Sequence, residues 1–365
     1  MRIAQVAPLY ESVPPRYYGG TERVVSWLSE QLVALGHEVT LFASGDSVTQ
    51  ARLVPACKKA LRLDSDCVDS LAHHILMIER VFSQAENFDL IHFHTDYLHF
   101  PLQRREQIPC VTTLHGRLDL PDLVPLFKEF GEVPLVSISD AQRKPLPWAN
   151  WLGTVYHGLP IDSLRLGKGG DYLAFLGRIS PEKGLDHAIQ IATRAGMRLK
   201  VAAKIDRADR DYFERKIKPL FDNPFVEFIG EIGNSEKQDF LGNAAALLFP
   251  IQWPEPFGLV MIEAMACGTP VIAYPFGSVV EIIPDGVCGF LVHDVDEAVE
   301  AVAKLDALDR CECRRHFELN FTGERMACNY LNVYKQLIGR ASSSMALEEG
   351  VLPWIEVESP TPSTT

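Results

Sequence analysis

Short apolar runs alternate with longer amphipathic stretches along this chain. Arg2–Ala7 reads as a strand. Thr21–Leu35 follows, with Val24, Val25, Leu28, Leu32 and Leu35 on one face at the helical period. Thr21 is placed to cap that helix and Gly36 to close it. Further strands are expected at Glu38–Ala43, Leu90–His94, Val111–His115, Leu135–Ser139 and Gly153–His157, with a helix around Leu71–Phe82. Leu159–Gly170 is polar, Gly-rich and without period, and reads as a linker. The pattern then restarts: strand Tyr172–Leu176, helix Gly184–Thr193, strand Leu199–Ala203, helix Arg210–Leu220, strand Val226–Ile229. A strand at Ala244–Phe249, a helix at Gly258–Cys267 and a strand at Pro270–Tyr274 come next. Gly323–Arg340 reads as a last helix, and Ala341–Thr365 as a loosely ordered tail that Trp354 and Ile355 could dock.

This alternation predicts an α/β protein with parallel sheets covered on both faces. The restart predicts two Rossmann-like domains, 1–160 and 171–322, facing across a cleft. Ligands in such folds sit at the carboxyl ends of the strands, and clefts between domains favour small-molecule sites.

The 365 residues carry a formal net charge of -13, which opposes non-specific binding to nucleic acid or anionic lipid. No pair of the eight cysteines has C-x-x-C spacing, so buried or free thiols in a reducing compartment are expected. The N-terminus lacks the charged start and apolar run of a signal peptide, and no apolar run approaches the ~20 residues of a membrane span. The expected location is cytoplasmic, with any membrane contact peripheral, at the inner face.

The stretch FPIQWPEPFGLVMIEAMACGTPVIAY, Phe249–Tyr274, is the most informative. Pro254 and Pro256 force a loop around Glu255, and the helix that follows carries Glu263. The backbone N–H groups of Phe257, Gly258, Leu259 and Val260 would open that helix and suit a phosphate. The two carboxylates suit sugar and ribose hydroxyls. Together they match a sugar nucleotide. A plainer alternative makes Glu255 a helix-dipole partner and Glu263 an ordinary helical residue. In FLGRISPEKGLDHAI, Gly177 permits close backbone approach, and Arg178 and Lys183 put two cations at a strand end. Alone that pattern is weak, since such side chains are usually solvated. In RYYGGTERVV, Gly19–Gly20 leads into a helix and could meet a phosphate, or be only a turn. His115 in VTTLHG ends a strand and points at the cleft. His92 and His94 share a strand face, but no third metal ligand is evident. Asp64-Ser65-Asp66 and Asp294-Val295-Asp296 read as loop or helix-start residues.

YGGTERVV, TLHG, GRISPEKG and PEPFGLVMIEAMACGTPVIA, in that order, resemble the family 4 retaining glycosyltransferases of the GT-B fold over roughly Met1–Arg340. The last element is that family's Glu-x7-Glu motif. The resemblance implies that Glu255 and Phe257–Val260 hold the donor sugar and its diphosphate, and that Glu263 binds the ribose. It implies that Arg178 and Lys183 stabilise the departing nucleotide, that His115 lies near the sugar and Gly20 near the phosphates, and that the region around Ile232 meets the base. It also implies that 323–340 crosses back onto the N-terminal, acceptor-binding domain. The expected function is transfer of a hexose from a UDP- or GDP-sugar to a carbohydrate, lipid-linked or small-molecule hydroxyl in glycan biosynthesis, with no metal or other cofactor. The rivals are a non-catalytic sugar-nucleotide-binding module and another GT-B activity, such as a sugar-nucleotide epimerase or a phosphorylase.

Overall fold

The structure, a computed structural model, describes residues 1–16 and 19–348, with side chains as far as Arg340. Two all-parallel sheets form two lobes. The first has strands β1 (Arg2–Val6), β2 (Glu38–Ser44), β3 (Arg52–Cys57), β4 (Leu90–Phe93), β5 (Cys110–Thr113), β6 (Leu135–Ser137) and β7 (Trp151–Thr154), in spatial order β3-β2-β1-β4-β5-β6-β7. The second has β8 (Tyr172–Arg178), β9 (Arg198–Lys204), β10 (Val226–Gly230), β11 (Ala246–Phe249), β12 (Val271–Ala273) and β13 (Gly289–Leu291), in order β10-β9-β8-β11-β12-β13. Central strands such as β4 and β11 are apolar at nearly every position because helices cover both faces.

Helix α1 (Gly20–Ala34) follows β1, and α2 (Leu185–Ala195) follows β8. In α2, Leu185, Ala188, Ile189 and Ala192 recur at helical spacing and are buried against the second sheet. Helix α3 (Leu259–Ala266) lies between β11 and β12. The chain passes between the lobes twice at one place: Leu159 N–H donates to Phe321 O at 3.0 Å, and Gly323 N–H donates to Leu159 O at 2.8 Å. Helix α4 (Gly323–Glu348) then packs Met326, Tyr330, Tyr334 and Leu337 against Ile3, Val24, Leu28 and Leu32 of the first lobe. Glu281 of the second lobe accepts from the N–H groups of Asp140 and Ala141 at 2.8 and 2.7 Å, and from the Tyr156 hydroxyl at 3.0 Å.

Several expectations need correction. Gly19, not Thr21, is the cap of α1. The stretch expected as one helix over Arg210–Leu220 is a run of short, irregular turns ending in a 3-10 segment around Pro219, a residue that cannot sit in a helix interior. Residues 341–348 continue α4 instead of starting a tail, and the rest of the expected tail, with Trp354 and Ile355, lies outside the described residues. The 159–170 segment is strapped to the second lobe, with Gly167 N–H donating to Cys267 O and Gly169 N–H to Gly242 O, both at 2.9 Å. Strands β4 and β5 stop at Phe93 and Thr113, so His94 and His115 stand just beyond the sheet's carboxyl edge. Asp294 starts a helix, its side chain accepting from Glu297 N–H, as its sequence context suggested.

Candidate active site

A cleft of about 700 Å³ runs between the carboxyl edges of the two sheets. That size is ordinary for a small-molecule site. It brings together Gly20, His115, Gly177, Arg178, Lys183, Ile232, Glu255, Phe257, Gly258, Leu259, Val260 and Glu263, every site residue expected from the sequence.

The second-lobe wall is built by two interlocked loops. Gln252 N–H donates to Glu182 O at 2.8 Å. Gly184, at φ 68°, lies so close that a Cβ would stand 2.1 Å from Pro250 O. This clasp brings Lys183 Nζ to 2.5 Å from Glu255 Oε2, while Trp253 Nε1 donates to the same oxygen at 2.9 Å. The ammonium also sits 5.4 Å from the Trp253 ring centroid, within cation–π range. Behind Glu255, Gly277 allows a third loop to pass: its φ is 64°, and a Cβ there would fall 2.4 Å from Glu255 N. Ser278 completes the brace, its N–H donating to Glu255 O and its hydroxyl to Phe257 O, both at 2.9 Å.

Gly258 caps α3 in a left-handed conformation. Among the described residues no group accepts from the N–H groups of Gly258, Leu259 or Val260, so the start of α3 presents donors to the cleft. Across the gap, a Cβ on Gly20 would be 3.8 Å from Leu259 Cδ1. Glu263 is buried and holds Lys237 Nζ at 2.5 Å. Arg23 of α1 reaches across to Asn234, at the start of the helix that carries Lys237. Arg178 is held by acids: Glu182 at 2.6 Å, Asp209 at 3.6 Å and Asp206 at 3.7 Å. A diphosphate would have to compete with those carboxylates for it.

On the first-lobe wall the buried histidines form one hydrogen-bonded network. His115 Nε2 lies 2.9 Å from His94 Nδ1, and His94 Nε2 lies 2.8 Å from Gln5 Oε1. Gln5 Nε2 donates to the Tyr334 hydroxyl at 3.1 Å, and that hydroxyl is 2.7 Å from His92 Nδ1. His92 Nε2 is 2.7 Å from Thr113 Oγ1, which meets the Tyr330 hydroxyl at 3.0 Å. His157 stacks on His115, with centroids 5.3 Å apart. Burial pushes His115 down to about 3 and holds His92, His94 and His157 well below the usual histidine range. These rings are neutral hydrogen-bonding groups at ordinary pH. Both ring nitrogens of His92 and of His94 are engaged in this network. Gln5, His157, Tyr330 and Tyr334 were not signalled by any local motif. Neither were Lys237, Asp206 and Asp209, while Glu182 stands inside GRISPEKG without having been assigned to Arg178.

The eight cysteines carry no disulfide, and no described helix is long and apolar enough to cross a membrane.

Residues 18–153 match the family model "Glycosyltransferase Family 4", and residues 161–318 match "Glycosyl transferases group 1". A D-inositol 3-phosphate glycosyltransferase of Mycolicibacterium paratuberculosis is 36% identical over 154 residues, which is 40% of this chain and 33% of that one. The match therefore spans about a third of that relative's length. Among solved structures, AviGT4, a glycosyltransferase involved in avilamycin A biosynthesis, superposes with a TM-score of 0.73 at 25% identity, covering 93% of this chain and 98% of that one. The Anabaena protein HepE, in complex with UDP and glucose, shares the fold with a TM-score of 0.69 at 19% identity, covering 94% of this chain and 100% of that one. The two family models, matched in order on the two lobes of a GT-B fold, establish that the chain belongs to glycosyltransferase family 4.

Proposed function

We propose that the protein transfers a hexose from a nucleoside diphosphate sugar to an acceptor hydroxyl, with retention at the anomeric carbon and without a metal ion. The observation that carries this reading is the Lys183–Glu255 pair at 2.5 Å beside the open N–H groups of α3, in the cleft between the lobes. Glu255 accepts from donor-sugar hydroxyls. Lys183 and the α3 N–H groups face the diphosphate, where negative charge grows as the bond from the anomeric carbon to phosphate breaks. Such preorganised donors act where charge develops and are not consumed in reorganisation. Glu263, with Lys237 behind it, accepts from the ribose diol. His115 offers a neutral ring to the sugar.

In the transfer step the bond between the anomeric carbon and the phosphate oxygen breaks, and its electron pair leaves with the nucleotide. The acceptor oxygen bonds to that carbon on the same face, and its proton passes to the departing phosphate oxygen. Lys183 and Arg178 supply the positive charge that a metal supplies in other nucleotide-sugar enzymes. HepE, which binds UDP and glucose, has this fold and directs attention first to UDP-sugars.

Thermal shift against UDP-, GDP-, ADP- and dTDP-sugars, with and without EDTA, tests the reading. A ligand at ~100 times its dissociation constant stabilises by about 2.7 kcal/mol. One nucleotide series should raise Tm, and EDTA should leave that rise intact. No rise with any of them would remove the donor site, and a rise abolished by EDTA would remove metal independence.

A further inference from the structure

One carboxylate joins the two lobes beside the cleft, and the donor reading gives it no work. Glu281 sits on a short helix of the second lobe, Val279–Ile282. Its Oε2 accepts from Asp140 N–H at 2.8 Å and from the Tyr156 hydroxyl at 3.0 Å, and its Oε1 accepts from Ala141 N–H at 2.7 Å. All three donors belong to the first lobe. Hydrogen bonds to an ionised acceptor are roughly twice as strong as neutral ones, so the three together form a firm clasp.

Each end of this clasp reaches a site loop within a few residues. On the second lobe, Glu281 N–H donates to Ser278 O at 2.9 Å, and Ser278 is the residue that braces the Glu255 and Phe257 carbonyls. On the first lobe, Ala141 is followed by Gln142, which is buried. Gln142 Nε2 donates to Leu114 O at 2.9 Å and to Gly116 O at 2.8 Å, the carbonyls on either side of His115. Gln142 Oε1 accepts from Ile138 N–H at 2.9 Å, and its backbone N–H donates to Ser139 Oγ at 3.0 Å. With both ends of its amide engaged, this side chain is not free to turn. Tyr156 is followed by His157, whose ring stacks on His115 and meets the Phe257 ring edge-on, centroids 4.7 Å apart. Both routes from Glu281 into the first lobe therefore end at His115, and the route into the second lobe ends at the Glu255 loop. A contact that only held the lobes together would not need both of its ends on segments that hold a site loop.

We propose that Glu281 is a positioning residue, which sets His115 against Glu255 through Gln142 on one side and Ser278 on the other. It touches no reacting atom, and its role rests on the reading of the Glu255 wall as the donor site. A misplacement of about 1 Å between reacting groups costs on the order of 10²-fold in rate. Glutamine does not replace this carboxylate. Whichever way its amide turns, the NH2 group meets one of the two backbone N–H groups, of Asp140 or of Ala141.

Hydrogen exchange on the full chain tests the clasp without any ligand. In Glu281→Gln, peptides over 138–143 and 113–117 should exchange about tenfold faster or more. The 253–258 loop keeps its Ser278 brace and should exchange as in the wild type. Turnover is read as nucleotide released, with water as acceptor, from whichever UDP-, GDP-, ADP- or dTDP-sugar raises Tm. In Glu281→Gln, kcat should fall about 10- to 100-fold while the donor's dissociation constant stays within about twofold. Gln142→Ala should lower kcat in the same way, and the double variant should be little worse than the poorer single variant, because both act on one loop. Tyr156→Phe keeps two of the three bonds. Its kcat should fall less, with Tm close to the wild type, which separates positioning from unfolding. Unchanged exchange over 113–117, wild-type kcat in Glu281→Gln, losses that multiply in the double variant, or equal losses of kcat and donor affinity would each overturn the proposal. Failure of the donor reading would appear separately, as an absent nucleotide-sugar shift in the wild type, and the exchange measurement would then decide the clasp alone.

Discussion

The two walls of the cleft solve the same problem by opposite means. The second-lobe wall fixes its polar groups with ion pairs: Lys183 with Glu255, Lys237 with Glu263, Arg178 with Glu182. The first-lobe wall fixes His94 and His115 through neutral hydrogen bonds that run back to Gln5, Tyr330 and Tyr334. The difference matches the proposed division of labour, in which fixed charge suits the diphosphate of the donor. The neutral histidine network holds its geometry without adding charge, and it places a crossing helix from the far end of the chain directly behind the cleft.

Acid should break the comparison most strongly. His92, His94, His115 and His157 have folded pKa values well below the unfolded value near ~6.5. Between the folded and unfolded values the unfolded chain binds more protons, so stability rises with pH there and falls as pH drops below ~6.5. For His115 that window extends down to about 3. Each such histidine removes up to about 1.4 kcal/mol per pH unit within it. Glu11 and Glu22, raised by burial, offset part of the loss. Tm should therefore decline steadily from pH 7 to pH 4.5, and the ring protons of His115 should not titrate above pH 5. A flat Tm over that range would show that the network is not buried and neutral.

Lys183→Ala sharpens the comparison from the charged side. It removes the cation that the proposed mechanism sets beside the leaving group and, among the described residues, leaves the Glu255 carboxylate with only Trp253. Turnover should fall roughly 10²–10³-fold, about 3 kcal/mol of transition-state stabilisation, while the fold survives. Wild-type turnover from a folded variant would remove Lys183 from the mechanism.

The two walls also differ in how legible they were. The charged wall is written in two contiguous stretches, Phe175–Ile189 and Phe249–Tyr274. There a proline-fixed loop, a cap glycine and a carboxylate on the following helix stand at fixed offsets. The neutral wall is assembled from positions 5, 92–94, 113–115, 157 and 330–334, which only tertiary folding brings together. Gln5 sits within an otherwise apolar strand, and Tyr330 and Tyr334 look like ordinary core residues of an amphipathic helix. In the fold, the alternation revealed the central strands. It missed β3, a half-buried edge strand interrupted by Pro55, and β13, whose three residues are too short to show a period. Lys237, Asp206 and Asp209 stayed hidden because a charged side chain on a helix or loop reads as solvated surface.

Tyr334→Phe is the smallest change that reaches across the comparison. The hydroxyl lies between Gln5 Nε2 at 3.1 Å and His92 Nδ1 at 2.7 Å, and nothing else in the network takes its place. Its loss strands at least one buried polar group, which costs about 1–3 kcal/mol. The effect on the site runs through Gln5. With its Nε2 bound to Tyr334, Gln5 presents Oε1 to His94, so neutral His94 carries its proton on Nε2 and accepts from His115 through Nδ1. His115 is thereby held with its proton on Nε2. Without the Tyr334 hydroxyl the Gln5 amide is no longer oriented, and both tautomers of His115 become accessible. The variant should lose a few degrees of Tm, and its turnover should fall by about tenfold or less, with little change in the KM of the donor, because the proposed diphosphate contacts lie on the other wall. The nitrogen shifts of His115 should move from one tautomer towards a mixture. A change in stability alone, with turnover and the His115 signature intact, would leave the crossing helix as packing and separate the neutral wall from the chemistry.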